Sequence, residues 1–445
     1  MKAKGPHQTI SLLNKYGRNK DHYIASFNAH DGKIIDSSRI YEDFGDYAPF
    51  LFYYGFKSEI YPEFNSIKKI IKKNKIYYKK RSGLLGQFIY AYDQTDLILG
   101  LLSYMRNEPS DIRVKDTTQK ILENYLKNFT NNKKSFAAVD RFFRIKLPLF
   151  SANDNGMIIE LLCNFYTLTE NKKYLKNAHD LAKGMIELNS FKKYGLFFNY
   201  SIHSFAGNIT KLSPLVKKDL NKLVIHKHNN NTLYSFIELY RITRDKTIKN
   251  AIYYWFKSLK NHMVVDNFII SQKNIKTNQY SRDLTIIHAL EVLCDCYEIF
   301  KDKSFIEFVE LQINKILSQQ HVKTGLIPFY DQYFKYNLDF LRLNIPLESS
   351  WLDTSIDFGV LLAKLYELTN KKNYLVAFNK LYTGLLRYHW YNKGVINIVD
   401  YTTGKPLNYY CAVKTAFLSL KIFIAKEHIG RIYKNPKVFD ILRDR

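Results

Sequence analysis

The chain has 445 residues, of which 46% are hydrophobic and 16% aromatic, with only 18 glycines and 10 prolines. That is enough apolar material for a large core and too little punctuation for a disordered or all-β chain. Lys and Arg number 67 against 41 Asp and Glu, a formal net charge of +26, which attracts anionic polymers or surfaces, although a Lys-, Asn-, Ile- and Tyr-rich composition produces the same excess without any ligand.

Several classes drop out at once. The best apolar run, Phe417 to Ala425, is interrupted by Lys421 and falls far short of the roughly 20 residues a membrane span needs. Met1 to Lys20 contains no apolar leader core, so the expectation is a soluble, cytoplasmic protein. Cys163, Cys294, Cys296 and Cys411 form no CxxC pair and read as buried free thiols. Phosphate-cradling, dinucleotide, zincin and nucleophile-elbow motifs are all missing, so neither a metal nor another cofactor is expected.

Along the chain, residues 1–40 read as an N-terminal arm or small element, residues 41–430 as one toroidal domain, and 431–445 as a basic tail. An incomplete helical pair spans about Asp46 to Lys73. A phrase then recurs in which an apolar stripe at helical spacing ends in a Tyr-containing turn: Leu102-Ser103-Tyr104, Phe165-Tyr166-Thr167, Leu239-Tyr240-Arg241, Cys296-Tyr297-Glu298 and Leu365-Tyr366-Glu367. The tyrosines are 62, 74, 57 and 69 residues apart, an irregular period that suits helical hairpins with variable loops.

Stripes such as Met157, Leu161, Leu162, Phe165 and Leu168 precede the turns. Short polar links follow, such as Glu170-Asn171 and Asn370-Lys371, and imply antiparallel hairpins. Gly-led apolar runs at Gly83, Gly195, Gly325 and Gly394 read as helix stops leading through a short extended segment into the next hairpin. About six hairpins and a closing helix, Tyr409 to Lys426, predict an all-α (α/α) toroid, because an open stack would expose both terminal faces.

From roughly Asp43 to Lys426 this pattern resembles the six-hairpin (α/α)-toroid carbohydrate-active enzymes, the group that includes unsaturated glucuronyl hydrolases, many glycosidases, sugar epimerases and lyase toroid domains. The resemblance rests on architecture, since no family-defining catalytic string is present. It implies that the polar residues opening each first helix face a central cavity. Those positions carry Asp46; Tyr92 and Asp93; Asn153 and Asp154; His228 and Asn230; Tyr280, Arg282 and Asp283; Trp351 and Asp353, with Tyr330 in the loop before the last. Asp and Asn are also ordinary helix caps, but capping needs no Tyr, Trp, Arg or His beside it, whereas a sugar ring does.

Glycoside hydrolysis needs two carboxyl groups. The first choice is Asp93 with Asp353, and Asp154 and Asp283 are the substitutes. A uronate lyase or C5-epimerase would instead use Arg282, His228, Asn230, Tyr280 and Tyr92 to neutralise a carboxylate and remove a proton. A second aromatic cluster, Arg387-Tyr388-His389-Trp390-Tyr391, suits either a sugar-stacking rim or a packed helix end. The expected partner is a carbohydrate, neutral or anionic, and not a membrane. Nucleic acid is the partner only under the rival reading of a non-catalytic helical-repeat binding protein, which would gather its lysines into one stripe.

Overall fold

The recurring tyrosines mark the ends of the first helices. The computed structural model describes residues 5–20, 22–74, 77, 88–131, 133–140, 145–147, 149–198, 200–202, 222–225, 227–332 and 346–443. In it, Tyr104, Tyr166, Tyr240, Tyr297 and Tyr366 stand near the ends of helices Ala91–Asn107, Ala152–Thr169, Lys227–Thr243, Ile287–Phe300 and Leu352–Thr369. Each tyrosine carbonyl accepts the backbone N–H four residues on, at 2.6 to 2.9 Å. In four cases that donor, Glu170, Arg244, Lys301 or Asn370, has left-handed backbone with φ of 55 to 58°, the reversal that ends a helix and uses its last carbonyls.

The next residue caps the second helix. Asn171, Asp245 and Asp302 accept the N–H two positions on at 3.1, 2.6 and 3.0 Å, satisfying a donor the new helix would leave unpaired. One left-handed residue and one cap therefore turn the chain into helices Lys172–Ile186, Lys246–His262 and Lys303–Leu317. Lys371 reaches Lys372–Tyr388 without a side-chain cap.

The two helices of a hairpin differ in burial. Every residue from Asp154 to Phe165, from Ile287 to Cys296 and from Thr354 to Leu365 is buried. The second helices bury one stripe, for example Ile248, Ala251, Ile252, Trp255, Phe256 and Leu259, and leave the opposite face to water.

The chain forms two compact units, the described residues of 42–48 and 64–280, and those of 1–41, 49–63 and 281–444. In the first, helix Ala152–Thr169 packs between Ala91–Asn107 and Lys227–Thr243; in the second, Leu352–Thr369 packs between Ile287–Phe300 and Lys421–Glu427. Helix Pro6–Tyr16 and the strand His22–Asn28 belong to the second unit, where the strand pairs with Tyr410–Ala412. Helix Pro436–Leu442 packs on Lys421–Glu427.

Short antiparallel pairs clamp the hairpins. The strand before a first helix pairs with one from the loop after the same hairpin's second helix: Phe88–Tyr90 with Ala138–Asp140, Leu149–Ser151 with Tyr200–Ile202, Lys222–Val224 with Gln272–Asn274, and Ser349–Trp351 with Ile398–Asp400. This holds the start of each first helix in place. The expected helix stops at Gly195 and Gly325 have left-handed backbone, φ 63 and 74°; the Gly83 run lies outside the described residues. All four cysteines are free and buried, and no described helix is long and apolar enough to cross a membrane.

Burial all round the middle of these first helices obliges any charge there to find a partner. Lys364 lies 2.5 Å from Glu291 and 3.3 Å from Asp295, Tyr433 donates to Asp295 at 2.8 Å, and Lys421 lies 3.0 Å from Asp357. Burial pulls the Lys364 ammonium down, but the Asp295 and Glu291 carboxylates outweigh it and hold its pKa above the ordinary value. Replacing Lys364 by Met leaves two buried acids without their cation. The expected loss is about 3–5 kcal/mol, to be read as a lowered denaturant midpoint.

Candidate active site

In the unit made of 42–48 and 64–280, the polar starts of two successive first helices meet. Gly45 and Gly100 permit the approach: a Cβ on Gly45 would meet the Asp96 carbonyl at 2.5 Å, and one on Gly100 would run into Phe44. Only side chains without a Cβ fit such a crossing. It brings Asp43 and Asp46, at the start of helix Phe44–Tyr53, to Asp96 in Ala91–Asn107, with carboxylate oxygens all within 4.8 Å of one another. Asp46 is buried and the other two are half-buried. Among the described residues this trio has the oxygen donors and spacing a hard cation takes.

Beside it, Tyr77 donates its hydroxyl to Glu42 at 2.8 Å. Gln94 holds the Tyr77 backbone from both sides, accepting from its N–H at 2.9 Å and donating to its carbonyl at 2.7 Å. Burial, then the Glu42 charge, raises the Tyr77 phenol far above its ordinary pKa. Asp93, one residue before Gln94, is fully buried.

The next first helix contributes Asp154. Ser151 caps Ala152–Thr169, accepting the Asp154 N–H at 3.0 Å and donating its hydroxyl to the Asp154 carboxylate at 2.6 Å. Asn155 accepts from the Ser135 N–H at 2.8 Å and donates to the Ser135 carbonyl at 2.9 Å, tying the turn to the loop. Burial is the largest influence on Asp154; the Ser151 hydroxyl opposes it, the Asp93 charge reinforces it, and the carboxyl is pushed up to about 7. A buried carboxyl raised to about 7 that also feels the charge of a second acid is the kind of environment acid–base pairs exploit. Tyr92, 38% exposed, has its ring 6.3 Å from Tyr90, and Asn153 is half-buried. His228 and Asn230 fall in the first turn of Lys227–Thr243, but their side chains lie outside the described residues.

The unit containing 281–444 receives the other predicted residues. Asp283 accepts the Thr285 N–H at 3.1 Å and the Thr285 hydroxyl, which makes it a helix cap. Arg282 lies 3.7 Å from Asp331. Tyr330 is buried, edge-on to Phe329 at 4.8 Å, and half-buried Trp351 packs on the same ring at 5.1 Å. Asp353 is half-buried in the first turn of Leu352–Thr369, with no hydrogen bond to another described residue. Asp93 and Asp353 belong to different units, as do Tyr280 and Arg282.

The 387–391 cluster divides. His389 is buried against the Ile396 carbonyl at 2.8 Å, and Trp390 donates to Thr9 at 2.9 Å. Burial lowers the His389 pKa to about 4, so it is a neutral core residue. Tyr391 alone meets a half-open aromatic group, 5.3 Å from Tyr409.

Asp43, Asp96 and Glu42 are not among the residues the sequence singles out. The usable signal was their i, i+3 spacing, Asp43 to Asp46 and Asp93 to Asp96, which puts two acids on one helical face. The Tyr77–Glu42 pair left no such mark.

No family model matches the chain, and no curated protein matches it in sequence. Solved structures do. It is similar to an alpha-1,2-mannosidase from Trichoderma reesei (TM-score 0.67, 9% identity, covering 94% of this chain and 92% of that one). It is also similar to a D-mannose isomerase (0.56, 11%, 95% of each chain) and to a cellobiose 2-epimerase from Bacillus thermoamylovorans (0.53, 12%, 94% and 97%). The chain thus has the (α/α)6 toroid fold of these carbohydrate enzymes.

The Asp154 proton gives a pH signature. The native carboxyl is raised to about 7, whereas an unfolded Asp titrates near 3.9, so the native state binds more protons between these values. The stability contributed by that proton is complete below about pH 4 and is lost as pH rises through about 7. Asp154→Asn should flatten this part of the curve, measured as urea midpoints at pH 4.5 and pH 7.5.

Proposed function

We propose that the protein is a carbohydrate-active enzyme that hydrolyses glycosidic bonds in a poly- or oligosaccharide, with Asp154 as proton donor and Asp93 as the carboxylate beside it. The observation that carries this reading is the buried Asp154 carboxyl, held up to about 7 next to the Asp93 charge. Asp154 gives its proton to the leaving glycosidic oxygen as the bond to the anomeric carbon breaks. Asp93 supplies the base that takes a proton from the attacking water, or the nucleophile of a two-step displacement. Tyr92, Tyr90 and Asn153 provide ring faces and hydrogen-bonding groups for the sugar. The likeness to a mannosidase, a mannose isomerase and a cellobiose epimerase supports a hexose-containing substrate, and the net charge supports an acidic one.

Lyase or C5-epimerase chemistry through Arg282 has less support, because that guanidinium already faces Asp331 at 3.7 Å. The test is a product assay with the purified protein on manno-, gluco- and uronate-containing oligosaccharides. Asp154→Asn and Asp93→Asn should each lower kcat by about 10²-fold or more, and Asp154→Asn should remove the alkaline limb of the pH–rate profile near 7. Isomerised or unsaturated products without new reducing ends would replace hydrolysis by the corresponding chemistry. Asp353→Asn, assayed alongside, tests the carboxylate of the other unit separately.

A further inference from the structure

Helix Lys246–His262 contains four lysines and a histidine and no acidic residue. Opposite its buried stripe, Lys246, Lys249, Tyr253, Lys257 and Lys260 follow at intervals of three, four, four and three residues, which sets them in one line along the helix. Fourteen residues at ~1.5 Å each make that line about 21 Å long. Lys246, Lys257 and Lys260 are exposed, and Lys249 and Tyr253 are half-buried. The Lys249 ammonium lies 5.7 Å from the Tyr253 ring centre and that of Lys260 lies 4.4 Å from Phe256, so the aromatics help position the cations.

A second element widens the line. Gly195 turns left-handed after helix Asn189–Tyr194, and Ser258 fills the space a Cβ there would need. Tyr254 donates to the Lys192 carbonyl at 3.0 Å, and the His262 ring lies 5.9 Å from Tyr194. The exposed Lys192 and Lys193 therefore stand beside the lysine line, with the Tyr254 ring, also exposed, at the seam. Asp245, at the head of the helix, is engaged by His179 at 2.6 Å and by the Thr247 N–H. Helices Ile112–Phe129, with Asp116 and Glu123, and Lys303–Leu317, with Glu307 and Glu310, mix lysines with acids, and Lys372–Tyr388, acid-free too, spaces Lys372, Lys380 and Arg387 too widely to form such a line.

We propose that this face is a docking track for a linear acidic polysaccharide, a chain of uronate-type sugars whose carboxylates meet the lysine line and whose ring faces rest on Tyr253 and Tyr254. The proposal rests on the carbohydrate reading above and names the substrate class. A single straight row of ammonium groups with phenol rings among them suits one anionic chain of sugar rings. Duplex DNA presents phosphates along both sides of a groove. A membrane-seated helix needs large apolar anchors on its exposed side, and here Tyr254 is the one large exposed hydrophobic side chain.

The experiment is equilibrium binding of the full chain to polygalacturonate, with neutral mannan, duplex DNA and anionic phospholipid vesicles as comparisons. Polygalacturonate should bind tightest and weaken about ten-fold or more between 50 and 200 mM salt, as counterion release requires. The variant Lys246→Gln/Lys249→Gln/Lys257→Gln/Lys260→Gln should lose at least about ten-fold in affinity, with an unchanged circular dichroism spectrum and melting temperature. Removing four charges elsewhere, by Lys68→Gln/Lys69→Gln/Lys115→Gln/Lys120→Gln, should cost under about two-fold. Equal losses in both variants, or tighter binding of mannan, DNA or vesicles than of polygalacturonate, would overturn the proposal. Failure here would leave turnover of neutral oligosaccharides intact, whereas failure of the hydrolase reading would leave polygalacturonate binding intact.

Discussion

Burial all round the central stretch of the first helices, seen in Ala152–Thr169, Ile287–Phe300 and Leu352–Thr369, is the constraint from which most of the molecule follows. A helix packed on all sides has no solvent face for charge, so its length must be apolar or internally compensated. Ile287–Phe300 and Leu352–Thr369 show both solutions, with apolar stretches of Leu, Ile and Val and with buried charges compensated where Lys364 meets Glu291 and Asp295 and where Lys421 meets Asp357. The second helices escape the constraint. They bury a single stripe and take up the lysines, which is why a strongly basic chain can have so apolar a core.

The same constraint concentrates useful polar groups at one place in each hairpin. A buried helix can carry acids cheaply in its first turn, where unpaired backbone N–H groups and the helix dipole favour negative charge. Asp93, Asp154 and Asp353 all sit there. The strand pairs that close the hairpins, such as Leu149–Ser151 with Tyr200–Ile202, hold those first turns still. A fold of this kind therefore supplies a set of carboxyl groups in fixed positions, and chemistry depends on which of them keep a proton.

Asp154 and Asp283 show how position and packing separate two aspartates near helix starts, one capped by Ser151 and the other itself the cap. Each opens a helical segment and each engages a nearby hydroxyl. Asp283 accepts both the N–H and the hydroxyl of Thr285, and capping accounts for it. Asp154 is buried beside another carboxylate, and this environment moves its proton affinity towards neutrality. The difference arises from position, cap against first turn, together with what surrounds the carboxyl.

The sequence by itself determined the hairpins. The tyrosine phrase, the polar link and the apolar periodicity are local, and the structure gives the link a local cause in most hairpins: a left-handed residue that ends the first helix, and an Asx cap one position later. Apolar periodicity also distinguished core from surface, because a side chain's preference for water is its own property. Local signals also placed Asp93, Asp154 and Asp353 in first turns. Only tertiary structure decided which acids meet. Asp43, Asp46 and Asp96 converge because Gly45 and Gly100 let two segments about 50 residues apart touch, and Tyr77 finds Glu42 across 35 residues. Likewise, His389 and Trp390 looked as available for a ligand as Tyr391 until packing buried them. Proton affinity depends on distance and burial, which chain order does not encode, so the candidate site became legible only once the helices were packed.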